Sequence, residues 1–178
     1  MAIRPELRHH RALVAPDLMA KEVQLGRRWK LGKQIGDPSG FGKVYEATSE
    51  DGTVGVVKVI PKQPGADREL LFEDLDGVTN VVPVVDRGET NGSWLMAMPR
   101  ADRSLRAELD AADGPLPVEV AAPILIEVAR ALVALDGAVI HRDLKPENVL
   151  LLDGAWSLGD FGIARYAEAS TGDVEGLL

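Results

Sequence analysis

The chain has 178 residues, with 20 lysines and arginines against 28 aspartates and glutamates, so its formal net charge is −8. A content of 46% hydrophobic and 27% charged residues excludes global disorder, and the absence of cysteine excludes disulfides, thiolate zinc sites and cysteine nucleophiles. The acidic balance argues against nucleic-acid binding, and no apolar run approaches the roughly 20 residues that span a bilayer, so we expect a soluble, cytoplasmic protein.

The first half of the chain predicts mainly strands. Residues 1–28 predict one or two short helical pieces, which we interpret as a leader segment. From Trp29 onward the segments WKLGKQIG, GKVYEAT and TVGVVKVI predict three strands, and the last two are joined by a hairpin turn over residues 49–52. A helix is predicted over residues 67–75, followed by the strands VVPVVDRGE and SWLMAM, which a turn at Asn91 and Gly92 connects.

The second half predicts mainly helices. SLRAEL predicts a short helix with Ser104 as its N-cap. Residues 117–135 predict a long amphipathic helix, and the strands VLLLD and WSLGD follow around an Asp-Gly turn. The helical stripe consists of Val120, Ile124, Val128, Leu132 and Leu135. A β-rich half before a helix-rich half predicts an α+β fold of two lobes with a hinge near residues 98–103.

A glycine-rich segment, IGDPSGFGKVYEA, occupies residues 35–47. Its glycines allow the backbone to approach an anion closely and to point N–H groups at it, although a plain glycine turn has the same composition. A Walker loop does not fit, because Lys43 is followed by Val44 and not by Ser or Thr. A dinucleotide fingerprint does not fit either, because it would open a helix and this segment opens a strand.

Ionisable residues interrupt apolar segments at three further places. Lys58 lies inside GVVKVI, where it either faces a buried anionic partner or points to solvent on the open side of the strand. In the loop HRDLKPEN, Asp143 can accept a proton, Lys145 can hold a phosphate, and Asn148 offers an oxygen to a hard cation. Asp160 in LGDFG is a carboxylate suited to metal binding.

In this order and at these separations, the glycine-rich strand pair, the lysine of GVVK, HRDLKPEN and DFG resemble the eukaryotic-like serine/threonine protein kinase family over about residues 29–165. The resemblance implies a protein-kinase-like bilobal fold, with residues 29–98 as the N-lobe with one helix. Residues 99–178 would be the hinge and a partial helical C-lobe, truncated after the DFG segment, because no Ala-Pro-Glu motif follows. It also implies ATP and Mg²⁺ as cofactors and phosphoryl transfer to a Ser or Thr hydroxyl of a protein.

The resemblance also assigns roles to single residues. Asp143 would orient and deprotonate the acceptor hydroxyl, with Lys145 at the transferring phosphate. Lys58 would grip the α- and β-phosphates, and Asn148 and Asp160 would hold Mg²⁺. The nucleotide would further contact the glycines Gly36, Gly40 and Gly42, the apolar roof and floor Val44, Val56 and Leu150, the gatekeeper Met98, and the hinge residues Arg100 and Ala101.

Two features of the N-lobe depend on spacing. Glu69 and Glu73 are candidates for the helix carboxylate that holds Lys58, and Glu69 is preferred because it precedes residues 75–82 as the family's helix glutamate does. The segment from Gly36 to Gly42 is one residue longer than the family's glycine loop, which predicts a stiffer or differently shaped phosphate lid.

Two readings of function follow. The presence of Lys58, Asp143, Asn148 and Asp160 favours an active kinase that binds ATP and a protein substrate, without nucleic acid or a membrane span. The alternative is a nucleotide-binding, catalytically inactive kinase-like module that acts as a regulator or interaction partner, which the missing helices and the unusual glycine loop favour. The missing helices would leave the long helix exposed, so we expect self-association through its face from residue 124 to residue 132.

Overall fold

The computed structural model describes residues 22–36, 42–62, 75, 77–136 and 139–161, together with the backbone of residues 165–166. The helix predicted over residues 67–75 lies outside the described residues except for Leu75. Gly40, Glu69 and Glu73 also lie outside them.

Six antiparallel strands form the N-terminal sheet. They are β1 (Glu22–Gln24), β2 (Arg28–Ile35), β3 (Lys43–Ser49), β4 (Val54–Pro61), β5 (Asp86–Glu89) and β6 (Ser93–Pro99), in the spatial order β1-β2-β3-β4-β6-β5. Alternate residues of these strands, among them Trp29, Tyr45, Val57 and Leu95, bury one face in a common hydrophobic core. Of the strand predicted over residues 81–89, only Asp86–Glu89 joins the sheet, since Pro83 has no N–H to donate to a ladder.

The helical leader predicted over residues 1–28 is wrong from residue 22 onward, because β1 pairs with β2. Val23 lies opposite Trp29 in this pairing and is buried. The Asp86 carboxylate fixes the turn between the two strands to β5, since it accepts hydrogen bonds from the N–H groups of Gly26 (2.7 Å) and Arg27 (3.1 Å) and from the Trp29 indole (2.8 Å). The sheet therefore begins before the lobe boundary predicted at residue 29.

The second half of the chain contains α1 (Leu105–Ala111) and α2 (Val118–Leu135). The Oγ of Ser104 accepts a hydrogen bond from the N–H of Ala107 at 3.2 Å, which confirms the predicted N-cap. Strands β7 (Arg103–Ser104), β9 (Val149–Leu152) and β10 (Ala155–Leu158) form an antiparallel sheet in the order β10-β9-β7. β8 (Val139–Ile140) pairs with β11 (Arg165–Tyr166), and a 3₁₀ turn (Pro146–Asn148) leads directly into β9.

Helix α2 buries a narrower stripe than its sequence predicted. Ile124, Ala131 and Leu135 pack in the core that α2 shares with β10. The predicted self-association face is wrong at Ile124, which is only 4% exposed because it points into this core, while Leu132 is 39% exposed. Self-association itself stays a prediction.

In the part of the chain that the structure describes, no helix combines the length and hydrophobicity needed to cross a membrane.

Candidate active site

The N-terminal sheet and the second lobe face each other across a cavity with about 820 Å³ of empty space, part of it open to solvent. Sites for small-molecule ligands combine apolar walls with a few polar groups, as this cavity does. The wall on the side of the sheet consists of Val44, Lys58, Arg87, Met96 and Met98. The wall on the side of the second lobe consists of Glu147, Asn148, Gly159, Asp160 and Phe161. The segment between β4 and β5 adds Leu75, Val82 and Val84.

Lys58 connects the two sides of this cavity. Its neighbours Val57 and Val59 point into the core of the sheet, so strand alternation turns Lys58 toward the cleft. There its Nζ lies 2.9 Å from Oδ1 of Asp160. Of the two orientations left open by the sequence, the structure has the one in which the buried ammonium faces an anionic partner.

The Asp143 carboxylate is held in place by two side chains from its own loop. Its Oδ2 accepts hydrogen bonds from Nζ of Lys145 at 2.7 Å and from Nδ2 of Asn148 at 3.0 Å. Asn148 is buried in the 3₁₀ turn and also donates to the backbone carbonyl of Asp143 at 2.8 Å. The hydrogen bond to Asp143 raises the pKa of Lys145, so the lysine stays charged beside the carboxylate.

His141 ties this loop to the segment that carries Asp160. It is buried, and its Nδ1 accepts the N–H of Asp143 at 3.2 Å. Its Nε2 must then carry the proton, which it donates to the carbonyl of Gly159 at 2.9 Å. The ring centroids of His141 and Phe161 are 4.7 Å apart. These contacts connect the loop that carries Asp143 to the segment that carries Asp160.

The pairing of β4 with β6 places the residues predicted to surround the adenine. Met98 lies opposite Val56, and Met96 lies opposite Lys58. Both methionines line the cavity, whereas Val56 is buried and is not among the residues that line it. Sequence reasoning missed Met96, although its position two residues before Met98 puts it on the same face of the strand.

The predicted hinge residues Arg100 and Ala101 and the predicted floor residue Leu150 are not among the residues that line the cavity. Arg100 follows β6, and its guanidinium lies 3.0 Å from the carboxylate of Glu46 on β3. Ala101 follows it and is half-buried. Leu150 lies on β9 and approaches Gly159, where a Cβ would come within 3.4 Å of its Cδ1. The predicted floor residue therefore lies beside Gly159, which belongs to the cavity wall.

The two described glycines of the glycine-rich segment differ in what their backbone requires. Gly36 has a φ of +76°, which disfavours residues with a side chain. At Gly42, an added Cβ would lie 2.9 Å from the carbonyl oxygen of Val59 and 3.2 Å from Cε of Lys58. Gly42 therefore allows the chain to pass directly beside Lys58.

The donor atoms in the cavity fit a magnesium ion that is shared with a phosphate ligand. Asp160 and Asn148 both line the cavity and supply carboxylate and amide oxygens, the ligands that hard cations prefer. The described residues contain no group of three or more His, Cys, Asp or Glu side chains able to hold a metal. Mg²⁺ is commonly bound by one or two carboxylates plus substrate phosphates and water, so a site with few protein ligands is what this cation requires.

Comparison with known proteins agrees with this geometry. Residues 29–175 match the family model described as the protein kinase domain. The chain belongs to this family. Its sheet and its helical half are the two lobes of the kinase fold, so the family and the bilobal α+β fold predicted from the sequence are confirmed.

Several curated relatives are serine/threonine kinases. The chain is 31% identical over 158 residues to a probable serine/threonine-protein kinase of Clostridium perfringens, covering 83% of this chain and 23% of the relative. It is 37% identical over 140 residues to the serine/threonine-protein kinase PknD of Mycobacterium tuberculosis, covering 72% and 21%. It is 32% identical over 149 residues to serine/threonine-protein kinase 36 of Mus musculus, covering 78% and 11%. The chain thus spans less than a quarter of the length of each.

The kinase cleft brings together five of the residues that the sequence singled out. Val44, Lys58, Met98, Asn148 and Asp160 line one cavity, and Asn148 links it to Asp143. Sequence reasoning missed Arg87 and Glu147 in the cavity wall. Arg87 is in the wall because it pairs with Met96 on the neighbouring strand, a register that the sequence does not give. Glu147 lies inside the motif HRDLKPEN, so the sequence did contain a signal for it.

Proposed function

We propose that this chain is an ATP-dependent protein serine/threonine kinase that transfers a phosphoryl group from Mg-ATP to a Ser or Thr hydroxyl of a protein. The observation that carries the proposal is the approach of Lys58 to Asp160, at 2.9 Å, on the wall of a cavity that also contains Asn148. A cation, a carboxylate and an amide at one place are the groups that a magnesium-bound triphosphate requires.

The residues around the cavity would have different roles in phosphoryl transfer. Catalysis of this reaction consists mainly of positioning and charge neutralisation. Bound Mg-ATP would supply the phosphoryl group and the cation. Lys58 would bind phosphate oxygens, while Asp160 and the amide oxygen of Asn148 would hold the Mg²⁺. Gly42 supports this assignment, because it lets the glycine-rich segment pass close to Lys58.

Asp143 would act on the acceptor. Its carboxylate is oriented by Lys145 and Asn148, so it has a fixed direction from which to accept the proton of a substrate hydroxyl. The Lys145 ammonium, which is charged at neutral pH, would also stabilise negative charge on the transferring group. The motif that contains these residues, and the serine/threonine kinases among the relatives, support a Ser or Thr acceptor.

The test is transfer of label from radiolabelled ATP to a generic basic protein such as histone, with Mg²⁺ present, by wild type and Asp143→Asn. We expect the substitution to lower transfer by a factor of about 100 to 10,000 and to leave nucleotide affinity unchanged. Asp153→Asn is the matched control, since Asp153 lies in the exposed turn between β9 and β10. Nucleotide binding by wild type without any transfer would favour the inactive module, and equal loss of binding and transfer in Asp143→Asn would contradict the role of Asp143.

A further inference from the structure

Asn80 lies outside the cleft, yet it contacts the strand that leads into Asp160. Strand β10 ends at Leu158, and Gly159 alone separates it from Asp160. The position of β10 along its own axis therefore sets where the Asp160 carboxylate lies. Because the Asp160 side chain is 48% exposed, this backbone is one determinant of its position, beside the contact with Lys58.

Strand β10 is hydrogen-bonded on both sides, but only one side faces another strand of its sheet. On that side it pairs with β9. On the opposite side, Nδ2 of Asn80 donates to the carbonyl of Trp156 at 2.8 Å, and the N–H of Leu158 donates to the carbonyl of Asn80 at 2.8 Å. The N–H of Val82 donates to the carbonyl of Leu158 at 2.9 Å, and the N–H of Trp156 donates to Oε2 of Glu127 on α2 at 2.7 Å.

The backbone conformation of Asn80 explains how one residue makes two of these bonds. Its φ is +57°, in the left-handed region that Asn and Asp tolerate better than other residues with a side chain. This conformation allows its side-chain amide and its carbonyl to face the same strand. The contact continues into the cavity wall through Val82, because a Cβ added to Gly159 would lie only 3.1 Å from Cγ2 of Val82.

We propose that Asn80 is a positioning residue for Asp160. By holding Trp156 and Leu158, it fixes the register of β10 and so keeps the Asp160 carboxylate where it contacts Lys58 and where it would hold Mg²⁺. The inference rests on the proposed function, because the position of Asp160 matters through the cation of a bound Mg-nucleotide. Asn80 is not among the residues that line the cavity, so its effect on that cation would pass through β10 and the neighbouring Val82.

The experiment compares wild type with Asn80→Asp, which has nearly the same shape and tolerates the left-handed backbone but faces the Trp156 carbonyl with an oxygen in place of a donor. The affinity of a fluorescent ATP analogue is measured across a Mg²⁺ titration and in EDTA. Loss of a group bonded directly to a metal ligand typically weakens metal binding about tenfold or more. Asn80 acts through the backbone of β10, so we expect a severalfold rise in the Mg²⁺ concentration for half-maximal enhancement. Affinity in EDTA should stay unchanged, and transfer at fixed Mg²⁺ should fall in parallel.

Two further variants make the result decisive. Asn80→Gly permits the positive φ and removes the side chain while leaving the backbone carbonyl, so it should shift the Mg²⁺ dependence in the same direction. It decides the question if Asn80→Asp does not fold. Asn91→Asp makes the same chemical change in the exposed turn between β5 and β6 and should behave as wild type.

The outcomes separate the two proposals. A folded Asn80 variant whose nucleotide affinity depends on Mg²⁺ as in wild type would overturn the inference. An equal loss of nucleotide affinity with Mg²⁺ and in EDTA would also overturn it, since that result indicates a general structural defect. If wild type itself shows no Mg²⁺-dependent nucleotide binding, the proposed function fails and not the assignment of Asn80.

Discussion

The ammonium of Lys58 and the carboxylate of Asp160 lie 2.9 Å apart although 102 residues separate them in the chain. The two groups differ in exposure, because the Lys58 side chain is 9% exposed and that of Asp160 is 48% exposed. Removing the lysine therefore leaves a carboxylate that water can still solvate, whereas the lysine itself is the group that loses hydration in the folded protein.

Lys58→Met should consequently weaken nucleotide binding without lowering stability. We expect an affinity loss of about tenfold or more, as charge-assisted hydrogen bonds to phosphate are lost. The thermal unfolding midpoint should stay the same or rise, because methionine fits the apolar strand without a desolvated charge. Nucleotide titration and thermal unfolding give the two values. Lys62→Met is the matched control, since Lys62 pairs with Glu89 outside the cavity; unchanged nucleotide affinity in Lys58→Met would contradict the assignment.

Asp86→Asn should destabilise the sheet in a pH-dependent way. Burial would raise the pKa of Asp86, but hydrogen bonds from the Trp29 indole and from the N–H groups of Arg27, Gly26 and Arg87 outweigh it and lower the pKa below its usual 3.8. A group with a lowered folded pKa contributes its stability above the unfolded value and loses it as the pH falls below that value. We expect a loss of about 2 to 4 kcal/mol in the free energy of unfolding near neutral pH.

Urea unfolding of wild type and Asp86→Asn at pH 7 and pH 3 measures this effect. The difference between the two proteins should shrink as the pH falls to 3, below the ordinary pKa of an Asp in the unfolded chain, because protonation of Asp86 then favours the unfolded state of wild type. Asp113→Asn, at an exposed position between α1 and α2, serves as the control. A difference that stays constant between the two pH values would show that the carboxylate charge contributes nothing.

Gly42→Ala should disturb the cleft from the glycine-rich segment. The added methyl group would lie 2.9 Å from the carbonyl oxygen of Val59, a backbone atom that has little room to move. We expect the free energy of unfolding to fall by about 1 to 3 kcal/mol and nucleotide affinity to fall with it, because Cε of Lys58 is also in contact. Gly92→Ala meets no atom within 4 Å and should be neutral. If Gly42→Ala has the same stability and nucleotide affinity as wild type, Gly42 does not approach the carbonyl oxygen of Val59 this closely.

Truncation of two neighbouring residues of α2 should change the free energy of unfolding by very different amounts. Ile124→Ala should lower the free energy of unfolding by about 2 to 4 kcal/mol, because it opens a cavity in the core of the second lobe. Leu125→Ala should change it by less than about 0.5 kcal/mol, since Leu125 is 64% exposed. Chemical denaturation of both variants measures the contrast, and equal effects would show that α2 presents a different face to β10.

The elements with a strong local pattern could be predicted from the sequence, and those that depend on distant partners could not. Lys58 between two core valines follows directly from strand alternation, and the N-cap at Ser104 follows from local chemistry. β1 was missed because Val23 is its only buried residue, and because the turn after it is fixed by Asp86, which lies 60 residues beyond Gly26.

The candidate site shows the same division. The motifs identified Asp143, Asn148 and Asp160 as chemical groups, but their distances required the fold. Ile124 was assigned to an exposed face because the periodicity of a helix gives the width of its apolar stripe without saying which neighbours cover it. Asn80 carried no signal, since its role lies in bonds to the backbone of a strand far along the chain.

The anchoring of β1 by Asp86 decides where the chain can be shortened. The match to the family begins at residue 29, yet a protein trimmed to that point would leave β2 as an edge strand with its N–H and C=O groups open to pairing with another molecule. It would also remove the Gly26 and Arg27 donors from the Asp86 carboxylate. Trimmed forms intended to stay monodisperse should therefore keep residue 22 and everything after it.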